Sequence, residues 1–293
     1  MEQTGTLLKL ARTPVDRQQI QGVAVVSRLG RSLLLLVCAS TVALAQTGQQ
    51  PGITSITSAA NAAAGLAAES LGTAMGTDLA AGTASAQTIP WPTTLDGVTV
   101  QVTDSAPTPA TRLAGLLFVS PSQINFQVPA GTAPGPATVT INNGQQAISA
   151  QVQISSVAPG LFSVGGQGDA AAIGIRVAIP TQQQSPIAVV FCVDPGAGCH
   201  LVPIDLGVDT PVYLSFYGTG FRGRSSLGNV AVTIGNMTMQ VTVQAIYAGP
   251  QPQIPGLDQL NIPLPLTLRG AGVLNVTVSV DGTESNPVLI QVM

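Results

Sequence analysis

The chain is poor in charged and aromatic side chains. Asp, Glu, Lys and Arg make up 8% of its 293 residues, Phe, Trp and Tyr make up 3%, and there is one histidine, His200. A Ser-His-Asp triad needs a histidine base, and no Gly-x-Ser-x-Gly nucleophile elbow accompanies His200. Glu69 and Glu284 are the only glutamates after residue 45 and lie far apart in the chain, which argues against a carboxylate pair for glycoside hydrolysis. We therefore expect a non-enzyme without catalytic residues, cofactor or metal.

Lysine is absent after residue 45, where five arginines face eleven acidic residues for a net charge of −6. Nucleic-acid binding relies on Lys and Arg to neutralise phosphates, and a polybasic hold on anionic lipid needs the same residues. The charge balance therefore argues against both kinds of partner. It leaves an unknown protein or a surface glycan as the expected partner, and it does not indicate an oligomeric state.

Long apolar runs are also missing, apart from a short one near the N-terminus at Ser32–Val42. That run is shorter than the roughly 20 residues needed to span a bilayer as a helix. Arg28 and Arg31 precede it and Ala43-Leu44-Ala45 follows it, a pattern typical of a secretory signal peptide cleaved between Ala45 and Gln46. We predict a signal peptide over residues 1–45, a secreted or envelope-associated protein, and no membrane span in the mature chain. A retained membrane anchor is the alternative.

Two cysteines remain after that cleavage, Cys192 and Cys199. Outside the cell, two cysteines this close predict a disulfide that closes a small turn. Asp194-Pro195-Gly196 between them supplies turn-forming residues. The alternative is a metal site that includes His200, but a fourth ligand is missing nearby and the spacing is unusual for zinc.

From about Gln87 onward, short runs rich in Val, Ile and Thr alternate with Gly, Pro and Asn, which is typical of β-strands separated by turns. Three runs alternate apolar and polar residues with the period of a half-buried strand; they are 98–102, 230–234 and 276–280. Turns are expected at Asn142-Asn143-Gly144, Gly235-Asn236 and Asp281-Gly282. Such strands predict an all-β sandwich of antiparallel sheets.

One unit of the sequence occurs twice. Ser120-Pro121-Ser122-Gln123-Ile124-Asn125 returns as Gly256-Leu257-Asp258-Gln259-Leu260-Asn261, and Gly76-Thr77-Asp78-Leu79 returns as Gly218-Thr219-Gly220-Phe221. Repetition at this spacing predicts two modules of ordinary domain size. We place the first module at 58–157 and the second at 158–293, with a disulfide-containing insertion in the second.

Two segments near the start of the first module are harder to interpret. Residues 46–57 are expected to be a flexible mature N-terminus. The Ala-rich segment 59–71 could form a helix, because Ala is the best helix former. The repeat instead aligns Ala68–Met75 with the strand-like run 212–217, which favours a strand at Glu69–Met75.

Several motifs in this order resemble the Solibacter-type uncharacterised C-terminal domain of acidobacterial secreted proteins; they are Ser120–Pro129, Val157–Phe162, Leu214–Gly220 and Tyr247–Pro250 followed by Gly256–Asn261. The resemblance covers about residues 52–293. It implies an exported protein with two tandem immunoglobulin-like (IPT/TIG-like) antiparallel β-sandwich modules. It implies no known activity.

The amides of the repeated motif, Gln123, Asn125, Gln259 and Asn261, have two interpretations. They can satisfy loop backbone that lacks a sheet partner. Alternatively, they line a glycan-binding edge with sparse aromatics, namely Trp91, Tyr213, Tyr217 and Tyr247. The leader, the repeat and the missing catalytic groups favour a non-catalytic structural, adhesive or protein-interaction module at the cell surface, and the second interpretation of the amides predicts a carbohydrate-binding module.

Overall fold

The computed structural model describes residues 51–179, 181–193 and 198–293. The predicted signal peptide at 1–45, its cleavage site at Ala45 and Gln46, and the turn residues Asp194-Pro195-Gly196 lie outside the described residues. The described residues belong to one unit of internal contacts. Among the described residues no helix is both long and apolar enough to cross a membrane.

Ten strands form a first pair of sheets. They are β1 Gly52–Ser58, β2 Leu66–Ala67, β3 Leu71–Thr77, β4 Ala84–Ser85, β5 Thr99–Asp104, β6 Thr111–Leu113, β7 Gly115–Val119, β8 Gln123–Gln127, β9 Gly135–Asn142 and β10 Ala147–Ser155. One sheet has the order β1-β3-β8-β7-β4, and the other has the order β2-β10-β9-β5-β6. All strand pairs in the two sheets are antiparallel except β2 with β10.

The remaining strands form a second pair of sheets and a small hairpin. They are β11 Gly160–Leu161, β12 Ser163–Val164, β13 Asp169–Ala170, β14 Ala172–Val177, β15 Gln184–Ala188, β16 Val190–Cys192, β17 Cys199–Leu201, β18 Val212–Thr219, β19 Val230–Gly235, β20 Gln240–Gln244, β21 Tyr247–Pro250, β22 Asp258–Pro263, β23 Gly272–Val280, β24 Thr283–Glu284 and β25 Val288–Val292. One sheet runs β15-β14-β18-β22-β21 and the other β12-β13-β25-β23-β19-β20, while β16 and β17 pair with each other. Short 3₁₀ turns occur at Leu227–Asn229 and Leu266–Leu268.

Alternation of side chains builds two apolar cores, one inside each sheet pair. In β19, Val230, Val232 and Ile234 are fully buried, whereas Ala231 and Thr233 are partly exposed. The first core contains residues from 66 to 154 and the second contains residues from 157 to 292. The all-β, sandwich-like prediction is therefore confirmed, as are the predicted strands at 98–102, 230–234 and 276–280.

The predicted turns also lie where tight connections are found. Asn142-Asn143-Gly144 connects β9 to β10, Gly235-Asn236 connects β19 to β20, and Asp281-Gly282 connects β23 to β24. Gly144 has φ +87° and Asp281 has φ +48°, the left-handed backbone that such turns require.

The structure extends the repeat beyond the motifs seen in sequence. Gly52 in β1 pairs with Thr77, and Gly160 in β11 pairs with Thr219, so the two short strands hold equivalent positions. Pro51-Gly52-Ile53 therefore corresponds to Pro159-Gly160-Leu161. The segment 157–162 contains the first strand of the second sheet pair.

The segment expected to be a flexible mature N-terminus, residues 46–57, differs from that expectation where it is described. Gly52–Ser58 forms β1 and pairs with β3 along its length. Ile53 and Ile56 pack on the first core, so burial of apolar side chains holds the strand in place. The Ala-rich segment that follows is not a helix, and the strand predicted at Glu69–Met75 is found at Leu71–Thr77.

The insertion in the second half changes how its first sheet is completed. In the first sheet pair, β3 pairs with β8 along one edge, and β1 alone pairs with its other edge. In the second, β11 covers only Gly218 and Thr219 of β18, and β14 pairs with the rest of that strand. Between β11 and β14 the chain forms β12 and β13, which belong to the opposite sheet. The same edge of β18 is therefore paired by two separate strands, β11 and β14.

Two glycines are required where the first strand crosses its neighbour. A Cβ on Gly76 would lie 2.1 Å from the carbonyl oxygen of Gly52, and one on Gly218 would lie 2.4 Å from that of Gly160. Gly76→Ala and Gly218→Ala should each lower the free energy of unfolding by about 1–3 kcal/mol through overpacking. Urea denaturation of the purified protein measures this.

Gly228→Ala is the matched control. The nearest atom to its added Cβ is the hydroxyl oxygen of Ser226 at 3.7 Å, an ordinary contact. Its free energy of unfolding should stay within about 0.5 kcal/mol of the wild type. Equal effects of all three substitutions would contradict the crossing argument.

Candidate functional site

The repeated amides lie on strands β8 and β22 and make the same bond in both sheet pairs. Gln123 Nε2 donates to Asn125 Oδ1 at 2.8 Å, and Gln259 Nε2 donates to Asn261 Oδ1 at 2.8 Å. Asn125 pairs with Thr73 of β3, whose hydroxyl donates to Asn125 Oδ1 at 3.1 Å. The prediction that they satisfy loop backbone therefore differs from the structure, in which the amides bind each other along a strand.

On the second sheet pair these amides lie beside three tyrosines. Tyr217 of β18 pairs with Gln259, and Tyr247 of β21 pairs with Asn261. Tyr213 shares its face with Tyr217, because the residues between them alternate into the core. Burial raises the pKa of Tyr217. Three phenol rings and two amides therefore share the outer face of this sheet.

The equivalent face of the first sheet pair is apolar where the second carries tyrosine. Met75 pairs with Gln123, and Phe118 pairs with Asn125. Met75 and Phe118 take the places that Tyr217 and Tyr247 hold in the second pair. The fold therefore repeats the amides but not the hydroxyl groups around them.

Asp258 is the point at which the repeated motif diverges, since Ser122 holds its place in the first copy. Asp258 is fully buried. Its carboxylate accepts hydrogen bonds from Phe221 N at 2.7 Å and from Arg222 Nε at 2.8 Å. Burial raises the pKa of the Asp258 carboxyl, and the guanidinium of Arg222 opposes that rise.

Arg222 also contacts Glu69, which belongs to the first half of the chain. Its Nη1 lies 3.4 Å from Glu69 Oε1, and its Nη2 donates to the carbonyl of Leu257 at 2.9 Å. Its side chain is 11% exposed. Arg222 therefore joins the two halves of the chain.

Buried hydrogen bonds reinforce this junction. Thr219 Oγ1 accepts from the backbone N–H of Leu71 at 2.9 Å and donates to the carbonyl of Gly256 at 2.8 Å. Trp91 Nε1 donates to the carbonyl of Pro255 at 3.0 Å. Trp91 is 7% exposed, so it belongs to the junction and is unable to offer a ring face to a sugar.

A polar groove runs beside the junction, between Ser155 at the end of β10 and the Asp281 turn. Asp281 accepts from the backbone N–H and the hydroxyl of Ser225, and these bonds lower the pKa of its carboxyl. Asn229 Nδ2 donates to the same hydroxyl at 2.8 Å. Ser225 has no histidine beside it, since His200 lies on β17, so the groove lacks a catalytic base of that kind.

The predicted disulfide between Cys192 and Cys199 is present and joins β16 to β17. His200 pairs with Phe191, with ring centroids 5.4 Å apart. Burial raises the pKa of Asp169, and His200 opposes the rise. Within the described residues, no group of three or more His, Cys, Asp or Glu side chains could hold a metal ion. The predicted disulfide is therefore confirmed.

Comparison with known proteins gives no family assignment. No protein-family model matches the chain, and no curated protein matches it. The function is therefore inferred from the geometry of the described residues.

Asp258 and Ser122 form a matched pair for mutation. Asp258→Ala leaves the buried guanidinium of Arg222 without its carboxylate, so it should lower the free energy of unfolding by about 3–5 kcal/mol. Ser122 is exposed at the equivalent position, so Ser122→Ala should change it by less than about 0.5 kcal/mol. Chemical denaturation measures both values. Similar losses for the two variants would refute a special role for Asp258.

Proposed function

We propose that the chain is an exported, non-catalytic protein that acts as a structural, adhesive or protein-interaction module at the cell surface. The observation that carries this proposal is the junction of the buried Asp258 and Thr219 with Arg222 and the partly exposed Glu69. A polar junction of this kind fixes the orientation of the two sheet pairs relative to each other. Such fixed presentation suits an adhesive or spacer protein more than an enzyme, whose chemistry needs a cleft with perturbed catalytic groups.

We further propose that the two sheet pairs are tandem immunoglobulin-like modules of the IPT/TIG-like kind. In both, antiparallel sheets face each other across one core, as in that fold. In both, the first strand region is shared between sheets: β1 joins one sheet and β2 the other, as do β11 and β13. The Solibacter-type resemblance supports the same classification.

Export is supported by composition and covalent chemistry. The mature chain contains no lysine and few charges. Its two cysteines form a disulfide, and disulfides persist mainly in oxidising compartments outside the cytosol. The Arg-flanked apolar run with the Ala43-Leu44-Ala45 pattern supports a cleaved signal peptide.

The adhesive role predicts binding without turnover. Beads coated with the purified protein should bind envelope fragments of the producing cells, and beads coated with heat-unfolded protein should not. A panel of glycosidase, esterase and protease substrates should show no reaction. Turnover that disappears on substitution of a named residue, or an absence of binding, would contradict the proposed function.

The tyrosine and amide face supports a second candidate, a carbohydrate-binding module. Tyr213, Tyr217 and Tyr247 lie on one outer face with Gln259 and Asn261. Aromatic faces and amides suit sugar rings and hydroxyl groups.

A glycan array with two matched variants tests this candidate. Tyr247→Ala and Asn261→Ala should each reduce binding by roughly tenfold, as expected when one specific contact of about 1.4 kcal/mol is lost. Phe118→Ala and Asn125→Ala alter the equivalent positions of the first sheet pair and should leave binding unchanged. An array without binders would exclude the carbohydrate role while leaving the adhesive one intact.

A further inference from the structure

One end of the second sheet pair carries exposed apolar side chains on several separate loops. β18 runs from Val212 to the junction residue Thr219, so the end near Val212 lies roughly 25 Å from the junction. Three connections meet at that end, namely 205–210, 236–239 and 264–271. We call them the loop pole.

Hydrogen bonds show that these connections lie side by side. Arg269 donates to the carbonyl of Gly207, and Asn236 Nδ2 donates to the carbonyl of Ala271 at 3.2 Å. Arg176, near the end of β14, donates to the carbonyl of Asp205 and to Thr210 Oγ1. The loop pole is therefore one continuous surface although its members are far apart in sequence.

Each connection presents an apolar side chain to solvent at its tip. Met237 is 104% exposed, Val208 is 78% exposed and Leu266 is 51% exposed. Ile179, which follows β14 beside the pole, is 57% exposed. Apolar tips grouped at one end of a domain differ from the single exposed apolar residues of ordinary surfaces.

The tips are held in fixed turns. Asn236 Oδ1 accepts from the backbone N–H groups of Thr238 and Met239, which fixes the turn around Met237. Leu266 begins a 3₁₀ turn anchored by the fully buried Leu268. The guanidinium groups of Arg176 and Arg269 hold the loop around Val208. Fixed tips lose little conformational entropy when they bind.

The shape and charge of the pole favour a lipid surface over a protein partner. A protein partner would need a separate pocket for each projecting side chain. The interfacial layer of a bilayer accepts such side chains without matching pockets. Asp205 and Asp209 lie in the same loop as Val208, and Arg176 and Arg269 already bind carbonyl groups. This mixed charge matches zwitterionic headgroups and gives no net attraction to anionic lipid.

We propose that the loop pole, through Val208, Met237 and Leu266, inserts into the interfacial layer of a zwitterionic lipid bilayer. The contact is shallow and peripheral. The bilayer is then one partner of the protein in its role at the cell surface, so this inference rests on the proposed function.

Vesicle flotation of the purified full chain tests this proposal. The wild type should float with phosphatidylcholine vesicles, and adding 0.5 M NaCl (about three times physiological ionic strength) should not release it. Replacing part of the lipid with phosphatidylglycerol should not strengthen binding. Val208→Ser/Met237→Ser/Leu266→Ser should reduce partitioning by roughly tenfold or more, because the apolar area that enters the lipid is lost.

A matched variant separates the pole from general surface hydrophobicity. Met75→Ser/Leu113→Ser/Ile246→Ser alters three apolar residues that are also exposed but lie elsewhere, and it should float like the wild type. Thermal unfolding of both triple variants should match the wild type, since all six side chains face solvent.

Three outcomes would overturn the proposal: a wild type that does not float, equal loss in both triple variants, or a salt-sensitive interaction that requires anionic lipid. A dimer in light scattering that the pole variant dissociates would assign the tips to a second copy, which also overturns it. Bead adhesion without flotation would exclude the lipid contact and leave the adhesive role intact. Flotation without bead adhesion would exclude the adhesive role and leave the lipid contact intact.

Discussion

The arrangement of the two halves depends on the ion pair between the carboxylate of Asp258 and the guanidinium of Arg222. The carboxylate is fully buried and binds both the backbone after β18 and the guanidinium that reaches Glu69. Taking such charges from water is costly unless each is paired, so Asp258 and Arg222 require one another. Thr219 and Trp91 add further hydrogen bonds across the same junction.

Much of the fold could be predicted from sequence because its signals are local. Alternating Val, Ile and Thr mark β5, β19 and β23, and the pairs Asn-Gly, Gly-Asn and Asp-Gly mark the turns that follow β9, β19 and β23. The first strand of each half was harder to find, since Gly52–Ser58 lies in a segment expected to be flexible and Gly160–Leu161 has only two residues and pairs with the distant β18. A match of Pro-Gly-Ile at residue 51 with Pro-Gly-Leu at residue 159 was the signal available.

The junction and the loop pole could not be predicted in the same way. Arg222 and Asp258 are 36 residues apart, and nothing in their local sequence shows that they pair. The divergence of the motif at Asp258 was the available clue, because a repeat changes where its two copies have different neighbours. The tyrosine face likewise depends on strand pairing, which brings Tyr217 and Tyr247 to opposite sides of β22.

The two halves protect their sheet edges differently. In the second half, β13 and Ile204 cover β25, whereas in the first half β2 covers β10 only at Ile154 and Ser155 among the described residues. Natural sheets often guard such edges with lysine, and this chain has none after residue 45. Protection of β10 against unwanted strand addition therefore depends on the short cover that β2 provides.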